Sequence, residues 1–246
     1  VVLIIDYTHD SFYGKTETEW IHKYKPESGS RGSFKFLSAS ILLDDQRYFI
    51  YSIPASVIDN ESELLELVLD YIEELEIRIK VTLLDRGFTK SSKNLKLFKS
   101  RNIKYLGLYP KYSNIKKILK NTKKNFLNRK FLVKDVETRL VIGKNVGKRK
   151  ITWVFVTNME LSEFAKYKRL YRKRWNIETG FRVQDEAQIK SRSVDIRIRY
   201  FYFLVAMILY NVWKSLKIKI SFKRFTIKMQ KICEGVVNEV FNTKPS

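Results

Sequence analysis

One cysteine, Cys233, in 246 residues excludes an internal disulfide framework and any thiolate metal cluster, and suits an intracellular, cytoplasmic location. Two histidines, His9 and His22, are too few for a histidine-rich metal site. A metal would therefore be hard and oxygen-bound, meaning Mg²⁺ or Mn²⁺. No apolar run reaches the roughly 20 residues of a membrane span. The longest, residues 200–213, is broken by Asn211 and reads as a buried helix. Residues 1–5 lack the basic lead of a signal peptide. Because the chain opens inside what reads as a core strand, without Met, an upstream segment is expected to be missing. Acidic residues are scarce: 26 Asp+Glu against 48 Lys+Arg leave a formal charge of +22. Such an excess points to a polyanion, in the first place nucleic acid, with a solvated basic surface as the alternative.

What is present reads as a mixed α/β sheet. Residues 1–5 form a continuous apolar strand ending at Asp6, followed by a polar stretch. Residues 34–43 and 47–53 pair as a hairpin through Asp44-Asp45-Gln46, closed by Pro54. Asn60 and Glu63 form a capping box for a helix with an acidic outer face, Glu66, Asp70, Glu73 and Glu74. Ile77 to Leu83 alternate into a strand that stops at Asp85, a basic helix spans 90–101, and 103–109 is a short strand. Residues 110–160, with a lysine-rich stretch from Lys116 to Lys130 and strand-like runs at 131–136, 139–142 and 151–156, read as a β-rich insertion. Helices follow from Ser162, with a break near 191–193. The expected division is 1–109 for the first part of the core, 110–160 for the insertion and 161–246 for the helices that complete it. The order of elements implies a mixed sheet with helices on its faces.

Three carboxylates stand out. Asp6 and Asp85 each follow an apolar strand, at the sheet edge where ligand sites gather. Glu178 lies on a stripe formed, if the segment is helical, by Tyr171, Arg174, Glu178, Arg182 and Asp185. Two divalent ions held by such acids clamp a scissile phosphate and activate the nucleophile. Each residue also has a plainer reading. The aspartates suit turns, and Glu178 suits an ion pair with Arg174 or Arg182.

Asp6-Tyr-Thr8, Leu84-Asp85-Arg-Gly-Phe88 and Tyr171-x2-Arg174-x3-Glu178 resemble the three signature blocks of DDE transposases from prokaryotic insertion sequences. The group most similar is the insertion sequence 4 family, whose last block continues to a lysine. The resemblance implies an RNase H-like core, with Asp6, Asp85 and Glu178 as catalytic residues binding Mg²⁺ (Mn²⁺ substituting), in two ions. It implies cleavage of double-stranded DNA at transposon ends, a hairpin intermediate, strand transfer into a target, and a homodimer in the DNA complex. Tyr171 and Arg174 would hold phosphates of the transferred end. Asp185 stands where the family has its lysine, and Arg182 is the candidate replacement. Members of the family usually carry a DNA-binding region ahead of the first aspartate, so this chain is expected to lack end recognition or to be a degenerate copy. An RNase H-like nuclease or resolvase without strand transfer, and an inactive DNA-binding relic, are the alternatives.

Among smaller features, His9 reads as a loop residue. Trp175 reads as packing beneath the stripe, with base stacking as the alternative. Arg86 suits a phosphate or a carboxylate, and Lys116 to Lys130 suit DNA backbone contacts or a solvated run.

Overall fold

In a computed structural model, residues 1–147, 150–175, 183 and 191–242 are described. They fall into two compact units, Val1–Ile177 and Glu178–Ser246.

The first unit is a nine-stranded mixed sheet. Strand β1 (Val2–Phe12) pairs antiparallel with β3 (Gly32–Leu43), whose outer edge carries β4 (Gln46–Ala55) and the two-residue β2 (Ile21–His22). On its other side β1 runs parallel to β5 (Val81–Leu84), and β5 parallel to β6 (Tyr105–Leu108). The order β4–β3–β1–β5–β6 is the RNase H-like arrangement expected. The sheet then continues antiparallel through β9 (Ile151–Thr157), β8 (Val136–Val146) and β7 (Phe126–Val133). The strands read from sequence as an insertion thus extend the same sheet.

Local chemistry explains the connections. Asp44 and Asp45 both adopt positive φ, 49° and 57°, which a two-residue hairpin turn requires and which aspartate tolerates. Pro54 does not close the hairpin. It sits inside β4 opposite Phe36, where an outer strand spares its missing N–H. Helix α1 (Glu61–Glu74) has the expected N-cap but not the reciprocal box: Asn60 accepts from the Ser62 N–H at 3.0 Å, and its side-chain amide donates to the Glu63 carboxylate at 3.0 Å. Arg101 neutralises the acidic face of α1 by reaching Glu66, Asp70 and Glu73.

Several expected boundaries move. β1 does not end at Asp6 but runs on to Phe12, so His9 is a strand residue rather than a loop residue. Ile77 and Ile79 precede β5, whose four residues are all buried, as a central parallel strand requires. The basic helix expected over 90–101 is α3 (Ser92–Ser100), and a four-residue α2 (Arg86–Thr89) precedes it. The lysine-rich stretch contains a helix not expected from sequence, α4 (Ser113–Asn121), anchored by buried Ile115. Lys144 donates to the carbonyls of Leu119 (2.5 Å) and Thr122 at its C-terminal end, the placement that the helix dipole favours. Residues 131–136 are not one strand, because a turn with Lys134 at φ 54° separates β7 from β8.

The two faces of the sheet differ. Leu3, Ile5, Leu37, Ala39, Leu84, Val154 and Val156 join α1, α3 and α4 in one apolar core. By strand alternation, Ile4, Asp6, Ser38, Ser40, Leu83, Trp153 and Phe155 face the other way. On that side lies α5 (Phe164–Arg172), with Tyr171 against Trp153 and Phe155. Gly143 permits this approach, since a Cβ there would meet the Phe164 ring at 2.4 Å.

The described part of the second unit is α6 (Ile196–Ser215), capped by Asp195, and α7 (Phe222–Asn242). Tyr210, Trp213 and Phe222 pack between them, and the Trp213 indole donates to the Ile220 carbonyl at 2.9 Å. No helix among the described residues is long and apolar enough to cross a membrane.

Candidate active site

The sheet brings Asp6 and Asp85 together. Parallel pairing of β1 with β5 ends at Ile5 opposite Leu84, so the next residue of each strand is an aspartate and both lie on the α5 face. Beyond that point β5 turns into α2. Asp85 stands at the N-cap of α2 but makes no capping hydrogen bond with its side chain, leaving the carboxylate available. Gly107 of β6 lets α2 fold back tightly, because a Cβ there would meet Thr89 at 2.2 Å. β1, by contrast, continues past Asp6, held by β3 with Asp6 opposite Ser38.

A 3-10 turn at Lys173–Trp175 follows α5 and delivers Arg174 to the pair. Its Nη1 donates to Asp6 Oδ2 at 2.6 Å, and Nη2 lies 3.7 Å from Asp85 Oδ1. The Arg174 side chain is 7% exposed, that of Asp6 17% and that of Asp85 43%, so the Arg174–Asp6 contact is largely screened from water while Asp85 is open to it. Tyr171, completely buried, sets the turn by packing on Trp153 and Phe155, with Arg174 over its ring at 5.6 Å. Burial pushes its phenol well above the usual range.

Beside Asp6 runs a buried polar strip that the sequence did not reveal. Ser38 and Ser52 share a hydrogen bond of 3.0 Å, and Arg47 donates from Nε to Ser40 at 2.9 Å. Arg47 itself is only 3% exposed. Strand alternation in β3 carries a signal for the serines, which interleave with Leu37, Ala39 and Ile41. For Arg47, whose neighbours give no such pattern, there was none.

Asp6 is the strained member. Burial, opposed by Arg174 and reinforced by the charge of Asp85, raises its pKa from 3.8 to about 6. A carboxyl whose folded pKa is raised contributes stability that is complete below its unfolded pKa and lost as pH rises through the folded one. The contribution of Asp6 should therefore fade between about pH 4 and pH 6, by at most about 3 kcal/mol. Urea denaturation across that range should show wild type losing stability relative to Asp6→Asn. Parallel curves would contradict the assignment.

The pair suits a hard divalent cation. Both donors are carboxylate oxygens, and the ionised form of Asp6 is costly without a positive partner. Magnesium commonly takes one or two carboxylates, with water and substrate phosphate completing its octahedron. Among the described residues no group of three or more His, Cys, Asp or Glu side chains is arranged to hold a metal ion. Glu178, Arg182 and Asp185 lie outside the described residues.

The sequence matches the family described as "Transposase DDE domain" over residues 1–211. No curated protein sequence matches it. The cryo-EM structure of the piggyBac transposase synaptic complex with hairpin DNA is similar in fold, with a TM-score of 0.64 at 15% identity, covering 100% of this chain. This chain spans 57% of that one. DNA-bound endonuclease V of Ciona intestinalis aligns over 67% of this chain and 74% of its own, at TM-score 0.35 and 16% identity. The NurA nuclease of Sulfolobus solfataricus aligns over 99% and 86%, at TM-score 0.34 and 10% identity.

Proposed function

We propose that this chain, which belongs to the transposase DDE domain family, cleaves DNA at transposon ends and transfers the freed strands into a target. The observation that carries this reading is the convergence of Asp6 and Asp85 at the parallel β1–β5 junction, on a sheet of RNase H-like order. Asp6 and Asp85 would hold the divalent ions, Mg²⁺ or Mn²⁺, with Glu178 as third ligand. Bound there, such ions polarise the scissile phosphate and sharpen a water or hydroxyl nucleophile. The buried Asp6 fixes one side of the site, while the more exposed Asp85 faces solvent and incoming phosphate.

Arg174 has two roles in this reading. Without DNA it neutralises the carboxylates. An incoming divalent ion displaces it from the aspartates, and with DNA its planar fork turns to a phosphate, which guanidinium binds in the same two-pronged way. Tyr171 acts beneath it, and Arg182 supplies a further phosphate contact. The family resemblance extends the proposal to an insertion-sequence-4-type prokaryotic element, a hairpin intermediate, and a homodimer on the DNA at the nucleoid. Residues 1–109 and 161–246 form the catalytic core in this scheme and 110–160 its insertion.

The test substrate is a duplex carrying the inverted repeats that this reading expects to flank the coding region. In Mg²⁺, a labelled end should yield a hairpin and then a product joined to target duplex, resolved on a denaturing gel. Nicks without joining would identify a nuclease. Binding without any cleavage would identify a relic.

A further inference from the structure

We propose that a second DNA-binding surface lies on the first unit, in an open groove of about 980 Å³ at the opposite end of the strands from Asp6 and Asp85. Its floor includes Val2 and Val81. Each is four residues before its strand's catalytic candidate, which at about 3.3 Å per residue places the groove on the order of 13 Å away along the same sheet face. Lys80 and Lys104, just ahead of β5 and β6, line one side, and Lys166 and Arg169 of α5 line another.

Helix α5 has the build of a support for such a surface. Phe164, Tyr167 and Tyr171 mark its sheet-facing side. Lys166 and Arg169, three residues apart, share the side that lines the groove, and Lys173 of the following 3-10 turn lines it too. One acid, Asp45, lines it too, and Lys173 already takes it at 2.7 Å. Among the described residues no carboxylate pairs with Lys80, Lys104, Lys166 or Arg169. Arg101, by contrast, has three acids around it. Like charges gathered in one groove repel each other and raise the local concentration of a polyanion. A sugar–phosphate backbone fits this chemistry, with its phosphates against the cations and its sugars over the aliphatic floor. The choice of DNA as the polyanion rests on the transposase reading.

The lysine run that drew attention in the sequence is a competing surface. Lys116, Lys117 and Lys120 are exposed on α4, whose Ile115 packs into the core on the other side of the sheet. The full chain would be titrated with a labelled random-sequence duplex in EDTA over a series of KCl concentrations. With no metal present the assay reads no cleavage, so a catalytically dead protein and an empty groove give different results. The variant Lys80→Glu/Lys104→Glu/Arg169→Glu should lower the slope of log K against log salt by about two to three, given about 0.9 per phosphate contact. It should also weaken binding more than about tenfold at low salt. The matched variant Lys116→Glu/Lys117→Glu/Lys120→Glu, with the same change in net charge, should move the slope by less than about one. Equal losses in the two variants would overturn the proposal, as would an unchanged slope in the groove variant. So would binding of an acidic peptide, with DNA unable to compete for the groove. Thermal melts matched to wild type confirm that each variant is folded.

Discussion

Arg174→Gln should lower stability at neutral pH by about 3 kcal/mol, roughly a 10 °C fall in Tm for a chain of this size. The substitution leaves two neighbouring carboxylates, one of them largely buried, without the guanidinium that joins them. Breaking a buried pair costs more than the pair contributes, because the remaining charge stays desolvated. The loss should be reversible by two routes. Lowering the pH protonates Asp6, which titrates higher in the variant than in wild type because Arg174 is the charge that holds its pKa down, and relieves the repulsion. Adding Mn²⁺ supplies the missing charge, and a ligand at a hundred times its Kd restores about 2.7 kcal/mol. Arg174→Lys, which keeps the charge but not the fork, should fall between wild type and glutamine. Differential scanning fluorimetry with and without Mn²⁺ reads all of these. A melt that neither acid nor Mn²⁺ raises would show that Arg174 acts through packing alone.

The second large effect concerns catalysis. Asp85→Asn keeps the shape of the side chain and removes its charge, at a position where the carboxylate caps nothing and is half exposed. Folding should be almost unchanged, because exposed charges contribute little to stability. Cleavage of a transposon-end duplex in Mg²⁺ should fall at least about a hundredfold, the scale for removing one charge-stabilising group from a phosphoryl or acyl transfer site. DNA binding in EDTA should persist, since losing an acid from a basic surface does not repel phosphate. Quantified gel assays at saturating protein separate the two outcomes. Near-normal cleavage by Asp85→Asn would remove it from the catalytic set.

Much of the frame was legible in the sequence because it depends on local pattern. The Asp44-Asp45 turn, the Asn60–Glu63 cap and the apolar strands before both aspartates follow from backbone preference and alternation, and the structure contains them. What sequence could not show depends on partners. β1 runs past Asp6 because β3 stays with it through Phe12, although residues 7–11 look polar. α4 was hidden by the lysines around it, although Ile115, Ile118 and Leu119, at steps of three and four, mark the face that packs on the core.

For the site, the spacing of Tyr171 and Arg174 suggested one polar face turned toward phosphate. Helix α5 ends at Arg172, and the following 3-10 turn takes Arg174 to the carboxylates while Tyr171 is buried. At that break Tyr171 packs on Trp153 and Phe155, which come from β9. Of the groove's cations, Lys166, Arg169, Arg172 and Lys173 fall in one basic stretch of sequence, but Lys80 and Lys104 come from two separate places in the chain, so no single run announced the groove.

The central claim is that Asp6 and Asp85 form a divalent-cation site. Isothermal titration of Mn²⁺ into wild type, Asp6→Asn and Asp85→Asn tests it most directly, in buffer without DNA. Saturable binding by wild type, and its loss in both single variants while their melting curves stay cooperative, is the predicted result. Undiminished Mn²⁺ binding by either variant would contradict it.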